Sequence, residues 1–111
     1  MAERIRLSRA KGWRMPDNTI KVDRTGPWGN PFVVSRDGTR AECVDLYTKL
    51  MAGYVAISVS ATVEAQKAAR RHVIDNLNSI RGKNLACWCS HDGPCHGDVL
   101  LKLANEKRRV Q

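Results

Sequence analysis

The sequence has no long apolar run, no internal repeat, no low-complexity tract and no linker rich in Pro, Gly or Ser. The missing runs exclude a transmembrane helix, which needs about 20 consecutive apolar residues. The first nine residues alternate charge with apolar side chains instead of building the continuous apolar core of a secretory signal. A cytoplasmic protein with reduced cysteines is therefore expected, with no membrane partner. The missing linker and repeats point to one domain over residues 1–111, long enough to bury a core without staples or metal. Acidic residues are scarce too: 11 against 19 Lys and Arg, a formal net charge of +8. Seven of the basic residues fall within the first 24 positions, where Glu3, Asp17 and Asp23 are the acidic ones, and a short basic tail closes the chain over 106–111. Such a balance favours a polyanionic partner, although solubility alone would also account for it.

What is present reads as a small α/β protein. Short strands are expected over 5–8, 19–22 and 32–35, with Gly12, Pro16, Asp17 and Asn18 supplying turn chemistry between the first two. Two prolines and two glycines make 26–32 an ordered loop and not a helix. Thr39 and Glu42 have capping-box spacing, so a helix should begin there. Behind them Cys43, Leu46, Tyr47, Leu50, Met51 and Tyr54 recur at helical intervals as one buried face, which makes Cys43 a core residue. The stretch 55–61 fits neither period. A second helix is expected over 62–80, with Val73, Ile74, Leu77 and Ile80 inward and His72 beside them as a structural histidine; Gly82 stops it. Asn84 to Cys89 reads as a buried strand and 96–107 as the last helix. Together these give a single-domain α/β sandwich, Rossmann-like, with a short mixed sheet and about three helices packed on it.

The chemistry concentrates in 85–98, Leu-Ala-Cys-Trp-Cys-Ser-His-Asp-Gly-Pro-Cys-His-Gly-Asp, which holds three of four cysteines and two of three histidines. On a strand Cys87 and Cys89 share a face and Trp88 takes the other. Cys95 then stands at a helix N-terminus, outside a strand end, where ligands bind in open α/β sheets. Four readings follow. Cys87, Cys89 and Cys95 with His96 or His91 are zinc-ligand types, but C-x-C with an adjacent Cys-His is not the usual paired C-x-x-C spacing, and neighbours at a helix start diverge by about 100°. A Cys89–Cys95 disulfide is conceivable but suits a reducing compartment poorly. Cys95 as a functional thiol gains from the helix dipole, which lowers its pKa, with His91, His96 or His72 as partner. Simple packing of all three thiols is the fourth.

Four motifs carry a family resemblance: Val22-Asp23-Arg24, Trp28-Gly29-Asn30-Pro31-Phe32, Arg81 through Cys89, and Cys95-His96-Gly97-Asp98-Val99-Leu100. Over residues 5–105 they resemble domain-of-unknown-function family 4326 of bacteriophage and bacterial genomes. The resemblance implies no activity. The residues themselves suggest a pocket: Trp28 as a stacking face, Arg24 for phosphate, Asn30 to read a donor and an acceptor, and Cys89 at the strand end. A nucleotide or nucleic acid is then the expected ligand. If there is catalysis, Cys95 is the nucleophile or anchoring thiol, His96 the acid/base or anion contact, and Asp98 an orienting carboxylate. The alternatives are a non-catalytic basic DNA- or RNA-binding accessory protein with a structural, zinc-bound cysteine cluster, and an inhibitor of a host protein.

Overall fold

The computed structural model describes residues 2–23, 26–89 and 93–105. Its elements run β1 (Arg4–Arg6), β2 (Thr19–Lys21), α1 (Arg40–Met51), α2 (Val63–Ile80), β3 (Asn84–Cys87) and α3 (His96–Asn105). This is an α/β fold of three helices and a three-stranded sheet ordered β1-β3-β2. Both pairings are parallel, with Ile5 opposite Ala86 and Ile20 opposite Leu85, so the expected mixed sheet is corrected. The reason lies in the central strand: Leu85, Ala86 and Cys87 are all buried, and a strand covered on both faces is an apolar run typical of parallel sheets. A loop, with no helix, joins β1 to β2, so the finer Rossmann-like label is not supported by the helix-alternating order that fold needs. No helix among the described residues is long and apolar enough to cross a membrane.

The expected strand at 32–35 is reduced to an isolated bridge between Val34 and Gly38. Asp37 competes for these backbone groups: its carboxylate accepts from Val33 N at 2.8 Å and from Ser60 N and Oγ at 2.6 Å each. Side-chain capture of local amides is how aspartate replaces a ladder by a turn. Gly38 then turns the chain into α1 at φ 140°, where a Cβ would stand 2.9 Å from that of Glu42. Only glycine fits there. The capping box follows as expected, Thr39 Oγ1 accepting from Glu42 N and Glu42 Oε1 from Thr39 N. Thr39→Ala should cost about 1 kcal/mol in urea denaturation; no measurable loss would mean that tertiary contacts alone hold the α1 start.

Cys43, Tyr47, Leu50 and Met51 of α1 join Val73 and Ile80 of α2, Leu85 of β3 and Leu100 of α3 in the core. Two expected inward residues are not inward. Tyr54 is 71% exposed because α1 ends at Met51, and Ile74 is 40% exposed at the margin of the α2 stripe. The unassigned stretch 55–61 is held by Gln66, a fully buried side chain that donates from Nε2 to Ala56 O and Ala61 O and accepts at Oε1 from Ala56 N.

Candidate functional site

Because the strands are parallel, their carboxyl ends share one edge. Leu7 and Val22 extend the ladder there, donating to Cys87 O and Ala86 O. The N-terminus of α3 meets this edge, and beside it lies a cleft of about 230 Å³. Its inner end is sulfur. Cys87 and Cys95 are each 1% exposed with sulfurs 3.1 Å apart, and Cys89 is half-buried beside them, all three sulfurs within 4.8 Å of one another. The turn after β3 swings Cys89 to the same side as Cys87 and leaves Trp88 at the rim, 40% exposed. All four cysteines are free thiols, Cys43 in the core as expected.

The three thiols are not equivalent. Cys95 is held well below the usual thiol range, first by the Cys87 thiol donating to its sulfur and further by His96 and the Gly97 N–H, which overcome its burial. Cys87 moves the opposite way, because its proton is committed to Cys95 and its site is dry. Burial also raises Cys89. One negative charge is thus shared by the cluster and localised on Cys95, where the first turn of α3 offers amides and the positive end of the dipole.

Two arginines flank the cluster, Arg4 at Cys95 and Arg40 nearer Cys89. Arg4, on β1 with its side chain 8% exposed, reaches Asp98 at 3.2 Å and Gly93 O at 3.1 Å. Burial alone would lower its pKa, but the Cys95 sulfur it hydrogen-bonds and the Asp98 carboxylate hold it above its ordinary value. Arg40, at the start of α1, donates from Nε to Pro94 O, packs against Gly93 and lines the cleft. Neither arginine was singled out from the sequence. Arg40 does break a local rule, since a cation is unfavourable at a helix N-terminus, and Arg4 is a charge inside a strand; both are legible signals of a tertiary partner.

The expected site residues are placed as follows. Cys89, Cys95 and His96 line the cleft. His96 is 8% exposed, and its Nε2 lies 2.6 Å from Val22 O. A carbonyl only accepts, so Nε2 donates to it, and Nδ1, which faces the Cys95 sulfur at 3.8 Å, supports the thiolate only as a second N–H donor. His96 is consequently a partner of Cys95 and not an acid or base open to solvent. Among the described residues His96 also stays outside the tight set of metal-type donors, which contains the three cysteines.

Asp98 is absent from the cleft lining; its half-exposed carboxylate orients Arg4 instead of His96. Asn30 lines the cleft, yet its amide is turned on its own chain, Oδ1 accepting from Phe32 N and Nδ2 donating to Cys43 O. It fixes the loop. Trp28 departs from the expected stacking role: it is 8% exposed, edge-on to His72 with centroids 4.6 Å apart, and off the cleft. The available indole is Trp88, which lines the cleft and donates from Nε1 to the buried Asp23 carboxylate at 3.0 Å. Arg24 and His91, expected at the site, lie outside the described residues.

A family model described as Domain of unknown function (DUF4326) matches residues 5–106. No curated protein and no solved structure matches the chain.

Proposed function

The chain belongs to the DUF4326 family, a description that leaves the functional reading to the site itself, and we propose that the protein binds a nucleotide in the cleft at the carboxyl edge of its sheet. The observation that carries this reading is the convergence on one cleft of the Cys95 sulfur, the Arg40 guanidinium and the Trp88 ring. An indole offers a face to a base and a guanidinium pairs with phosphate. Phe32, Val34 and Val44 add an apolar wall to the cleft. Cys95 is then the reactive or anchoring group at the inner end, its thiolate kept by Cys87, Gly97 and His96 in a dry position where such a charge is a strong nucleophile or ligand anchor.

The test uses a panel of nucleoside mono- and triphosphates in thermal-shift and calorimetric titrations. At about 100 times Kd, a bound nucleotide stabilises the fold by about 2.7 kcal/mol. Val44→Trp, which fills the cleft without changing a charge, should abolish the shift, and Cys95→Ser should weaken binding at least tenfold. A Val44→Trp variant that binds as well as wild type would sink the reading.

A second reading rests on the proximity of the Cys87, Cys89 and Cys95 sulfurs, each within 4.8 Å of the others. Three thiolates are a soft donor set suited to zinc, and all three line the cleft, so a fourth coordination position would face it. Protein purified under reducing conditions without chelator should then carry about one zinc per chain by mass spectrometry, falling at least tenfold in Cys89→Ser. Metal-free wild type, with all four thiols titratable after denaturation, would leave Cys95 as the reactive group by itself.

A further inference from the structure

Trp88 is shared between two concavities. Besides the cleft, it lines an open groove of about 380 Å³ with Arg6, Leu7, Ser8 and Arg9. The Arg9 guanidinium lies over the indole, 4.4 Å from the ring centroid, and the ring is fixed at its edge by the hydrogen bond from Nε1 to Asp23. Arg6 and Arg9 are exposed, and the loop that continues toward β2 adds exposed Lys11 and Arg14 before any acidic residue appears at Asp17. A rigid aromatic plate, half open to solvent, therefore stands where a basic track meets the cleft.

Each part has a counterpart in a single-stranded nucleic acid. A basic track follows a phosphate backbone, and an aromatic face stacks bases without regard to sequence. A duplex would not serve, because its bases are stacked on one another and hide the faces that an indole needs. We infer that the ligand is a single strand of DNA or RNA: one nucleotide enters the cleft, the next base stacks on Trp88 in place of Arg9, and the displaced guanidinium joins Arg6 on the backbone. The exchange is favourable because base stacking outweighs an exposed cation–π contact. This inference rests on the nucleotide reading of the cleft and names its substrate class.

Fluorescence anisotropy with fluorescein-labelled ten-nucleotide oligothymidylate, the oligouridylate equivalent and a ten-base-pair duplex tests it, with thymidine and uridine monophosphates measured by calorimetry. Either single strand should bind at least tenfold tighter than its mononucleotide and tighter than the duplex. Trp88→Ala should weaken the single strand about tenfold, whereas Trp88→Phe, which keeps a stacking face, should recover most of it. Arg9→Ala should flatten the salt dependence by about 0.7 in the log–log slope, one phosphate contact. Arg9→Ala should still bind the mononucleotide as wild type does within a fewfold, whereas Trp88→Ala, which also takes the indole out of the cleft, should weaken the mononucleotide too. Single strands no tighter than mononucleotides, or unaffected by Arg9→Ala while Val44→Trp abolishes binding, would overturn the strand inference and leave the cleft reading standing. Strand binding without any mononucleotide binding would support the groove and remove the cleft reading. If neither ligand binds, both are overturned, and preference for the duplex overturns the inference alone.

Discussion

In the metal-free, reduced protein, stability should rise with pH from about 6 to about 8.5 and fall again above it, with Cys95 and Cys87 responsible for the two limbs. The folded state keeps one proton on the pair throughout this range, because Cys95 is lowered mainly by the hydrogen bond from Cys87, and Cys87 is raised mainly by giving that same bond. The unfolded chain holds two protons below about 8.5 and none above it. A group whose folded pKa is depressed stabilises fully above its unfolded pKa and loses that contribution as pH falls, so Cys95 supplies the rising limb. One whose folded pKa is raised stabilises fully below its unfolded pKa and loses that as pH rises, so Cys87 supplies the falling limb. The limiting slope is about 1.4 kcal/mol per pH unit, or about 3 kcal/mol between pH 6 and 8.5.

Urea denaturation at intervals between pH 6 and 10, with chelator and reductant present, reads this out as a difference from the variants. Cys95→Ser should lose the rising limb and much of the falling one, since without the Cys95 thiolate only burial still raises Cys87. Cys87→Ser should lose the falling limb and keep the rising one, since a serine hydroxyl still donates to the Cys95 thiolate. Identical pH profiles for wild type and Cys95→Ser would mean that Cys95 is protonated in the fold, and the thiolate account of the cleft would fail with it.

The second large effect is structural and lies outside the cleft. Gln66→Leu should destabilise the protein by about 3 kcal/mol in equilibrium denaturation at pH 7, because three backbone groups in the α1–α2 connection lose their partner at once and each unsatisfied group costs about 1–3 kcal/mol. Partial hydration of Ala56 and Ala61, both half-buried, keeps the sum below its upper limit. Proteolysis within 55–61 should also quicken, since those residues contain no helix or strand of their own. A loss under 1 kcal/mol would mean that the connection holds its shape by apolar packing of Val55, Ala56 and Val59.

Helices were the most legible part of this chain. The capping box at Thr39 and Glu42, and the apolar stripes from Cys43 to Met51 and from Val73 to Ile80, are local patterns, and a local pattern needs no partner to be read. Gln66 shows the opposite case. In sequence it is one more polar residue on a helix, and nothing nearby announces that the chain folds back to bury it against Ala56 and Ala61.

The site divides along the same line. Local pattern alone shows that three cysteines and a histidine crowd one strand-to-helix turn, that Cys95 stands at a helix start, and that the chain is basic with its N-terminal part heavily so. It also carried the family. Which thiol holds the charge was decided only by the tertiary structure, because the 3.1 Å Cys87–Cys95 contact joins a strand to a helix across an intervening loop. The same holds for the choice of indole: Trp28 and Trp88 are equally plausible plates in one dimension, and packing buried the first against His72 while leaving the second over the groove with Arg9. Arg4 reaches Asp98 from 94 residues away and Arg40 reaches Pro94 from 54. Side-chain electrostatics depend on distances of a few ångströms, and long-range distances are set by how strands pair and helices pack, not by spacing along the chain.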